Sequence, residues 1–181
     1  RLTSLGRAIP LDPMVRFSLL QSLDELRGRI EFMDLQSGQL IDHIQKVIAA
    51  SAMIGINIMT TFVGRDPARS IEDQWDDFEA VWKPLITFAE SQGVRVGIEN
   101  CPMLFTLDEW PGGKNLAISP EVWRRMFASI PSKNFGLNLD PSHLIWQHID
   151  TVRCIYEFKD RLVHMHAKDE KIMRDDLYDR G

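Results

Sequence analysis

Short apolar segments alternate along the chain with longer amphipathic segments, and the two kinds recur in a regular order. Four apolar segments, at 56–63, 94–99, 135–140 and 162–166, are each followed by polar or turn-forming residues. Segments of this length, rich in aliphatic and β-branched residues and bounded in this way, are typical of buried strands. We therefore predict a strand at each of the four positions.

Helical periodicity fills the stretches before the first two predicted strands. Apolar residues recur there at spacings of three and four, which is the pattern of an amphipathic helix. The first stripe is Leu40, Ile44, Val47, Ile48 and Ala52, and the second is Trp75, Phe78, Trp82, Leu85 and Ala89. Gly55 is predicted to cap the first helix, whereas Pro84 predicts a kink or a break within the second.

Two more helices are predicted from the residues that begin them. Ser119 offers a capping hydroxyl, and Pro120 suits the first turn of a helix. Asp150 is predicted to cap a shorter helix whose apolar residues are Val152, Ile155 and Tyr156. A further helix is compatible with the sequence at 15–30.

Helices thus lie between successive strands, and the strands recur about every 30–40 residues. That order favours an α/β fold with a parallel sheet, because parallel strands need crossover connections. The sequence contains no evident linker or internal repeat, so residues 1–181 are predicted to form a single domain.

Polar residues close three of the predicted strands. Glu99 ends the second, Asp140 the third and His166 the fourth. The carboxyl ends of parallel barrel strands converge on one face, so these side chains are expected to meet there. Two carboxylates and an imidazole suit Mn²⁺, Mg²⁺, Co²⁺ or Zn²⁺. Each residue also has a purely structural explanation. Glu99 could be a solvated loop residue, Asp140 could cap a helix, and His164 or His166 could be a packed core histidine.

Other conspicuous residues have mainly structural interpretations. Trp75, Trp82 and Trp123 are predicted to pack in the core rather than to stack on a sugar. Cys101 follows Glu99 closely but has no evident base partner, so a structural role is favoured over a nucleophilic one. The glycine-containing segment 110–115 is open to two interpretations, an active-site loop or a plain surface loop.

Composition narrows the classes of partner. The chain has 181 residues, 44% hydrophobic and 26% charged, with a formal net charge of −5. This charge offers no basic field for DNA or RNA, so no nucleic-acid partner is expected. No apolar run is long enough to cross a bilayer, and no signal peptide is evident, so a cytoplasmic protein without a membrane partner is expected. The two cysteines suggest neither a disulfide framework nor a cysteine zinc site.

Three segments around the strand ends resemble a known enzyme family. They are Ile98-Glu99-Asn100-Cys101-Pro102, Gly136-Leu137-Asn138-Leu139-Asp140-Pro141-Ser142-His143-Leu144, and Val163-His164-Met165-His166-Ala167-Lys168-Asp169. Together with 60–65 and 108–116, they look like the sugar phosphate isomerase/epimerase family of the xylose-isomerase-like TIM barrel superfamily. The resemblance covers about residues 38 to 170.

The resemblance implies a (β/α)8 TIM barrel and a role for each matching residue. Glu99, Asp140 and His166 match divalent-metal ligands, and Glu99 also matches the catalytic base. His143 matches a histidine close to the substrate or to a further metal, and Lys168 matches a polar position that faces bound substrate. The implied activity is a metal-dependent isomerisation or epimerisation of a small carbohydrate or its phosphate, through an enediolate.

The chain departs from the family pattern in its number of strands. Family barrels have eight, and their fourth ligand is a glutamate on the last strand, whereas only four strands are evident here. We therefore expect an incomplete barrel, either because the chain is a fragment or because parts of the barrel are omitted from it. The exposed strand edges of an open half-barrel are a hazard for aggregation or for formation of a homo-oligomer.

Three other functions stay open on the sequence. One is an inosose-dehydratase-like lyase of the same fold, and another is a truncated barrel that serves as a non-catalytic binding module. The third is an abasic-site endonuclease, which is disfavoured because Asp179-Arg180-Gly181 stands where those enzymes have Asp-Arg-His.

Overall fold

The computed structural model of the protein describes residues 38–102 and 113–180. The helix considered at 15–30 and the first half of the 110–115 loop, residues 110–112, lie outside these residues. The strands are β1 Ile58–Thr61, β2 Arg95–Glu99, β3 Phe135–Leu139 and β4 Leu162–Met165. The helices are α1 Gly38–Met53, α2 Trp75–Ser91, α3 Pro120–Ser129, α4 Pro141–Ile145, α5 Thr151–Phe158 and α6 Arg174–Arg180, with 3₁₀ turns at Glu72–Gln74 and Lys159–Arg161.

The four strands form one parallel sheet in the order β1-β2-β3-β4. Helices connect successive strands, so each new strand is added beside the preceding one. All four predicted strands are confirmed; β1 has half the length of its apolar segment, and each of the other three is one residue shorter than its segment. This order is the one expected for four adjacent strands of the eight in a TIM barrel.

The predicted helix ends agree with the structure. The side chain of Ser119 accepts a hydrogen bond from the Val122 amide, and that of Asp150 accepts one from the Arg153 amide. Gly55, just beyond α1, has a φ of 75°, which suits a glycine at a helix C-terminus.

Pro84 does not break α2, so the break offered as one outcome at this position is wrong. The helix continues unbroken from Trp75 to Ser91. Pro84 is exposed, whereas the neighbouring Trp82 and Leu85 are almost completely buried. Burial of the apolar face on either side outweighs the hydrogen bond that proline cannot make.

The three tryptophans predicted to be core residues are all buried, with 6% of Trp75, 1% of Trp82 and none of Trp123 exposed. The apolar face predicted for α5 is correct for Ile155, which is partly buried against the core, and wrong for Val152 and Tyr156, which are 63% and 75% exposed. The buried residues of α5 are Cys154 and Phe158. Phe158 packs edge-on against Trp123 with 5.2 Å between ring centroids, so this side of the helix faces the core.

None of the helices in the described ranges combines the length and apolarity needed to cross a membrane.

The pairing of β3 with β4 is irregular and very close. Leu137 pairs with Leu162, but Asn138 pairs with His164, so Val163 is one extra residue on β4. A Cβ atom on Gly136 would lie 2.1 Å from the Arg161 carbonyl oxygen and 2.7 Å from Cγ2 of Val163. Only glycine fits at position 136, since the first of these atoms belongs to the backbone.

We expect Gly136→Ala to destabilise the fold by at least about 2 kcal/mol, because the added methyl group must push β4 away from β3. Urea unfolding followed by circular dichroism measures the change. Gly38→Ala is the matched control, since among the described residues no atom beyond its chain neighbours and its own helix backbone lies within 4 Å of a Cβ at that position. Equal stability of the two variants would contradict the close approach of the strands.

Candidate metal centre

Three side chains predicted from the sequence meet at the carboxyl edge of the sheet. Glu99 is the last residue of β2, while Asp140 and His166 directly follow β3 and β4. Nδ1 of His166 lies 3.2 Å from Oδ2 of Asp140 and 3.6 Å from Oε1 of Glu99. One potential ligand atom from each residue lies within 4.8 Å of the other two.

Buried asparagines hold the backbone that carries these side chains. The side-chain amide of Asn100 accepts a hydrogen bond of 2.7 Å from the Asp140 amide and donates one of 2.9 Å to the Asp140 carbonyl. Asn115 donates to the carbonyl oxygens of Glu99 and Cys101, at 2.8 and 2.7 Å. Both asparagines are completely buried, so their amides replace the water that these backbone groups would otherwise bind.

These supporting roles were missed on the sequence. Asn100 stood within a quoted motif and Asn115 within the 110–115 loop, but nothing indicated that either was buried. For Asn100 the available signal was its position one residue after the candidate ligand Glu99. Asparagine is too common in loops for this position to predict a supporting role.

The two carboxylates are buried close together, with 5% of Glu99 and none of Asp140 exposed. Nζ of Lys168 donates to Oδ2 of Asp140 at 2.6 Å, and Ser142 donates to Oδ1 through its hydroxyl and its amide, at 2.6 and 3.0 Å. Burial alone would raise the pKa of Asp140. The hydrogen bonds from Lys168 and Ser142, and the nearby histidines, outweigh it and lower the pKa to about 2.

His143, in α4, lies beside the two carboxylates. Its Nε2 is 3.6 Å from Oδ2 of Asp140 and 3.8 Å from Oε1 of Glu99. Burial lowers the pKa of His143 against the opposing effect of Asp140, so the neutral ring is favoured at pH 7. Nδ1 faces the indole N–H of Trp146 at 3.4 Å, which places the ring proton on Nε2. In this arrangement His143 is a hydrogen-bond donor toward the site, and its binding of metal stays a prediction.

Two further groups lie next to the three residues. Cys101 is half-buried, and its Sγ can approach a ligand atom of Glu99 and one of His143 within the same 4.8 Å limit. The Asn138 side chain is completely buried and lies between the rings of His164 and His166. The sequence indicated no role for Asn138.

The residues present fit a divalent cation. Two buried carboxylates in such proximity repel one another unless positive charge is near, and Lys168 supplies only one such charge. Carboxylate oxygens with one imidazole nitrogen are a donor set used for Mn²⁺, Zn²⁺ and related ions. Glu99, Asp140 and His166 are therefore the residues that would hold the ion.

Lys168→Met is expected to change acid stability through Asp140. Asp140 has a lower pKa in the folded chain than its ordinary value of 3.8, so its ionised form stabilises the fold above about pH 4. This contribution is lost as the pH falls through about 2. The variant should be less stable than the parent above about pH 4, and the difference should shrink toward pH 2.

Urea unfolding between pH 2 and 6 with a chelator present, at about one-unit intervals, measures this difference. Lys171→Met makes the same change of net charge at an exposed position and is the control. A difference from the parent that does not vary with pH would show that Lys168 does not stabilise the Asp140 carboxylate.

Comparison with known proteins shows the following similarities. The family described as xylose isomerase-like TIM barrel matches residues 26–181. An uncharacterized protein of Bacillus subtilis (strain 168), YfiH, is 33% identical over 103 residues, which make up 56% of this chain and 29% of YfiH. The chain thus spans less than a third of the length of that relative.

Solved structures with a similar fold include a probable dehydratase and an epimerase. The probable 3-DHS dehydratase AsbF of Bacillus anthracis aligns with a TM-score of 0.64 at 14% identity, over 86% of this chain and 57% of that one. The 3-keto-D-glucoside 4-epimerase YcjR of E. coli aligns with a TM-score of 0.61 at 14% identity, over 90% of this chain and 73% of that one. At these identities the similarity shows the fold alone.

Proposed function

The chain belongs to the xylose isomerase-like TIM barrel family. We propose that it acts as a divalent-metal-dependent isomerase or epimerase on a small carbohydrate or its phosphate. The observation that carries the proposal is the meeting of Glu99, Asp140 and His166 at the carboxyl edge of the sheet. This is the edge where TIM barrels place their active sites. Epimerases among the proteins of similar fold, such as YcjR, support the same class of reaction.

The two carboxylates have different surroundings, which suggests different tasks. Asp140 is held by Lys168, Ser142 and His166, so its oxygens are fixed in place and it is the better candidate for a permanent ligand. Glu99 places its Oε1 3.6 Å from Nδ1 of His166 and 3.8 Å from Nε2 of His143, and it matches the glutamate that acts as base in the family that the sequence resembles. We assign to Glu99 the second task of removing a proton from the carbon beside a substrate carbonyl.

Lys168 and His143 are the candidates for binding the substrate oxygens. The Lys168 side chain is 54% exposed although its ammonium group reaches the buried Asp140. It is therefore placed to balance negative charge that develops on an enediolate oxygen. His143, neutral and with its proton on Nε2, would donate a hydrogen bond to a hydroxyl or carbonyl oxygen of the substrate.

A divalent metal bound by Glu99, Asp140 and His166 would polarise the substrate carbonyl and acidify the adjacent C–H. Proton removal by Glu99 then yields the enediolate. Return of that proton by Glu99 to the neighbouring carbon would isomerise the sugar. Epimerisation would need a second acid that delivers a proton to the opposite face of the same carbon, a task that suits the last-strand glutamate of the family pattern. Loss of a β-hydroxyl from the same enediolate gives dehydration instead, the reaction that the name of AsbF describes.

Metal titration tests the proposed ligands directly. Mn²⁺ binding, measured by isothermal titration calorimetry on chelator-treated protein, should weaken at least about 100-fold in both Glu99→Gln and His166→Ala. Glu79→Gln removes a carboxylate that is paired with Lys83 on α2 and should leave the affinity unchanged. A folded parent protein that binds no divalent metal, or retention of affinity in both site variants, would refute the proposal.

Solvent exchange tests the proposed chemistry. In D₂O with Mn²⁺ present, the protein should incorporate deuterium at the carbon beside the carbonyl of an accepted ketose, ketose phosphate or inosose. Glu99→Asn should abolish exchange while circular dichroism shows an intact fold. NMR of the products separates an isomer or epimer from a dehydrated compound. If the folded, metal-loaded protein exchanges no such hydrogen in any of these compounds, the enediolate chemistry is wrong.

A further inference from the structure

The side chain of Asn138 lies beneath the candidate metal centre and touches two histidines at once. Its Oδ1 is 2.9 Å from Nδ1 of His164, and its Nδ2 is 3.2 Å from Nε2 of His166. The irregular pairing of β3 with β4 makes this contact, because the extra residue Val163 places His164 opposite Asn138. Asn138 is completely buried, so no solvent competes for its amide.

An amide has one oxygen that only accepts and one nitrogen that only donates. The two rings that contact Asn138 must therefore play opposite roles. In this structure His164 donates from Nδ1 to Oδ1, while His166 accepts at Nε2 from Nδ2. The His166 proton then resides on Nδ1, where it points at Oδ2 of Asp140, 3.2 Å away.

Metal binding requires the His166 proton to be on the other ring nitrogen. Nδ1 is the ring nitrogen that faces both carboxylates, so it is the atom that would bind the ion and it must be unprotonated. The ring proton then lies on Nε2 and needs an acceptor, as the second nitrogen of a metal-bound histidine generally does. The group in contact with Nε2 is the Asn138 amide, which satisfies this need if its oxygen and nitrogen exchange places.

We propose that Asn138 is a positioning residue that couples the proton positions of His164 and His166 to metal occupancy. Rotation of the amide by a half turn directs Oδ1 to the Nε2–H of His166 and Nδ2 to Nδ1 of His164. His164, which does not belong to the metal-binding set, must then carry its proton on Nε2. This inference rests on the proposed metal-dependent function and extends it to a residue outside the ligand set.

Proton positions in neutral histidines can be observed directly by NMR. We would record long-range ¹⁵N–¹H correlations of the side chains at about pH 8, where an ordinary histidine is neutral, with and without one equivalent of Zn²⁺. Without metal, both rings should carry the proton on Nδ1. With Zn²⁺, His166 should show a metal-bound Nδ1, and His164 should change to the form protonated on Nε2.

Two substitutions distinguish coupling of the two histidine protons from a role of Asn138 in merely holding His166 in place. Asn138→Asp accepts from both rings, so Zn²⁺ affinity should stay within a few-fold of the parent while His164 keeps its proton on Nδ1. Asn138→Ala leaves Nε2 of His166 without this acceptor and should weaken Zn²⁺ binding about 10- to 100-fold. Asn134→Ala is the control, since this asparagine precedes β3 at the opposite end of the strand and should not alter affinity.

The outcomes distinguish this inference from the function on which it rests. If Zn²⁺ binds at His166 but the proton of His164 does not move, the coupling is refuted and the metal centre stands. If Asn138→Asp shows the same His164 change as the parent, the amide is not its cause and the coupling is again refuted. If the folded parent protein binds no Zn²⁺, the proposed function itself fails, and the coupling fails with it.

Discussion

The buried carboxylate of Asp140 is the group on which the rest of the site depends. One oxygen caps α4 through Ser142, and the other meets Lys168 and His166. An unpaired carboxylate in this position would carry a large desolvation cost, which these partners together outweigh, so that the pKa of Asp140 is lowered to about 2. The helix that carries His143 and the segment after β4 that carries His166 and Lys168 are thus both anchored to one side chain.

The backbone around Asp140 is equally constrained. The side chain of Asn100 pairs with both the amide and the carbonyl of Asp140, and the His166 amide donates to the Leu139 carbonyl. These bonds extend the pairing of β2, β3 and β4 past the last regular strand residues. The candidate ligands consequently lie on rigid strand ends rather than on loops, which is the condition for holding an ion in a defined geometry.

The close and irregular pairing of β3 with β4 decides where the histidines of β4 lie relative to the candidate metal centre. Gly136 allows the two strands to approach, and the extra residue Val163 shifts their register by one position. Because side chains alternate along a strand, this shift decides which residue faces Asn138. The same local irregularity therefore places His164 against Asn138 and leaves His166 at the mouth of the site.

Features that depend on local patterns were predictable, and those that depend on packing were not. Strand positions, helix caps and the core tryptophans follow from periodicity and capping chemistry. The continuity of α2 through Pro84 and the buried face of α5 do not, because neighbouring elements decide how much apolar surface each helix buries. The roles of Asn100, Asn115 and Asn138 were invisible for the same reason, since an asparagine reveals its partners only when the chain around it is folded.

By itself, the sequence determined the alternation of strands and helices, and with it the convergence of Glu99, Asp140 and His166. Parallel strands joined by helices must bring their carboxyl ends to one edge, so residue order along the chain was sufficient. Only the tertiary structure decided the distances between those groups, the lowered pKa of Asp140 and the position of Asn138 between two histidines. Burial, hydrogen-bond direction and strand register are properties of contacts between distant segments, which no local pattern in the chain specifies.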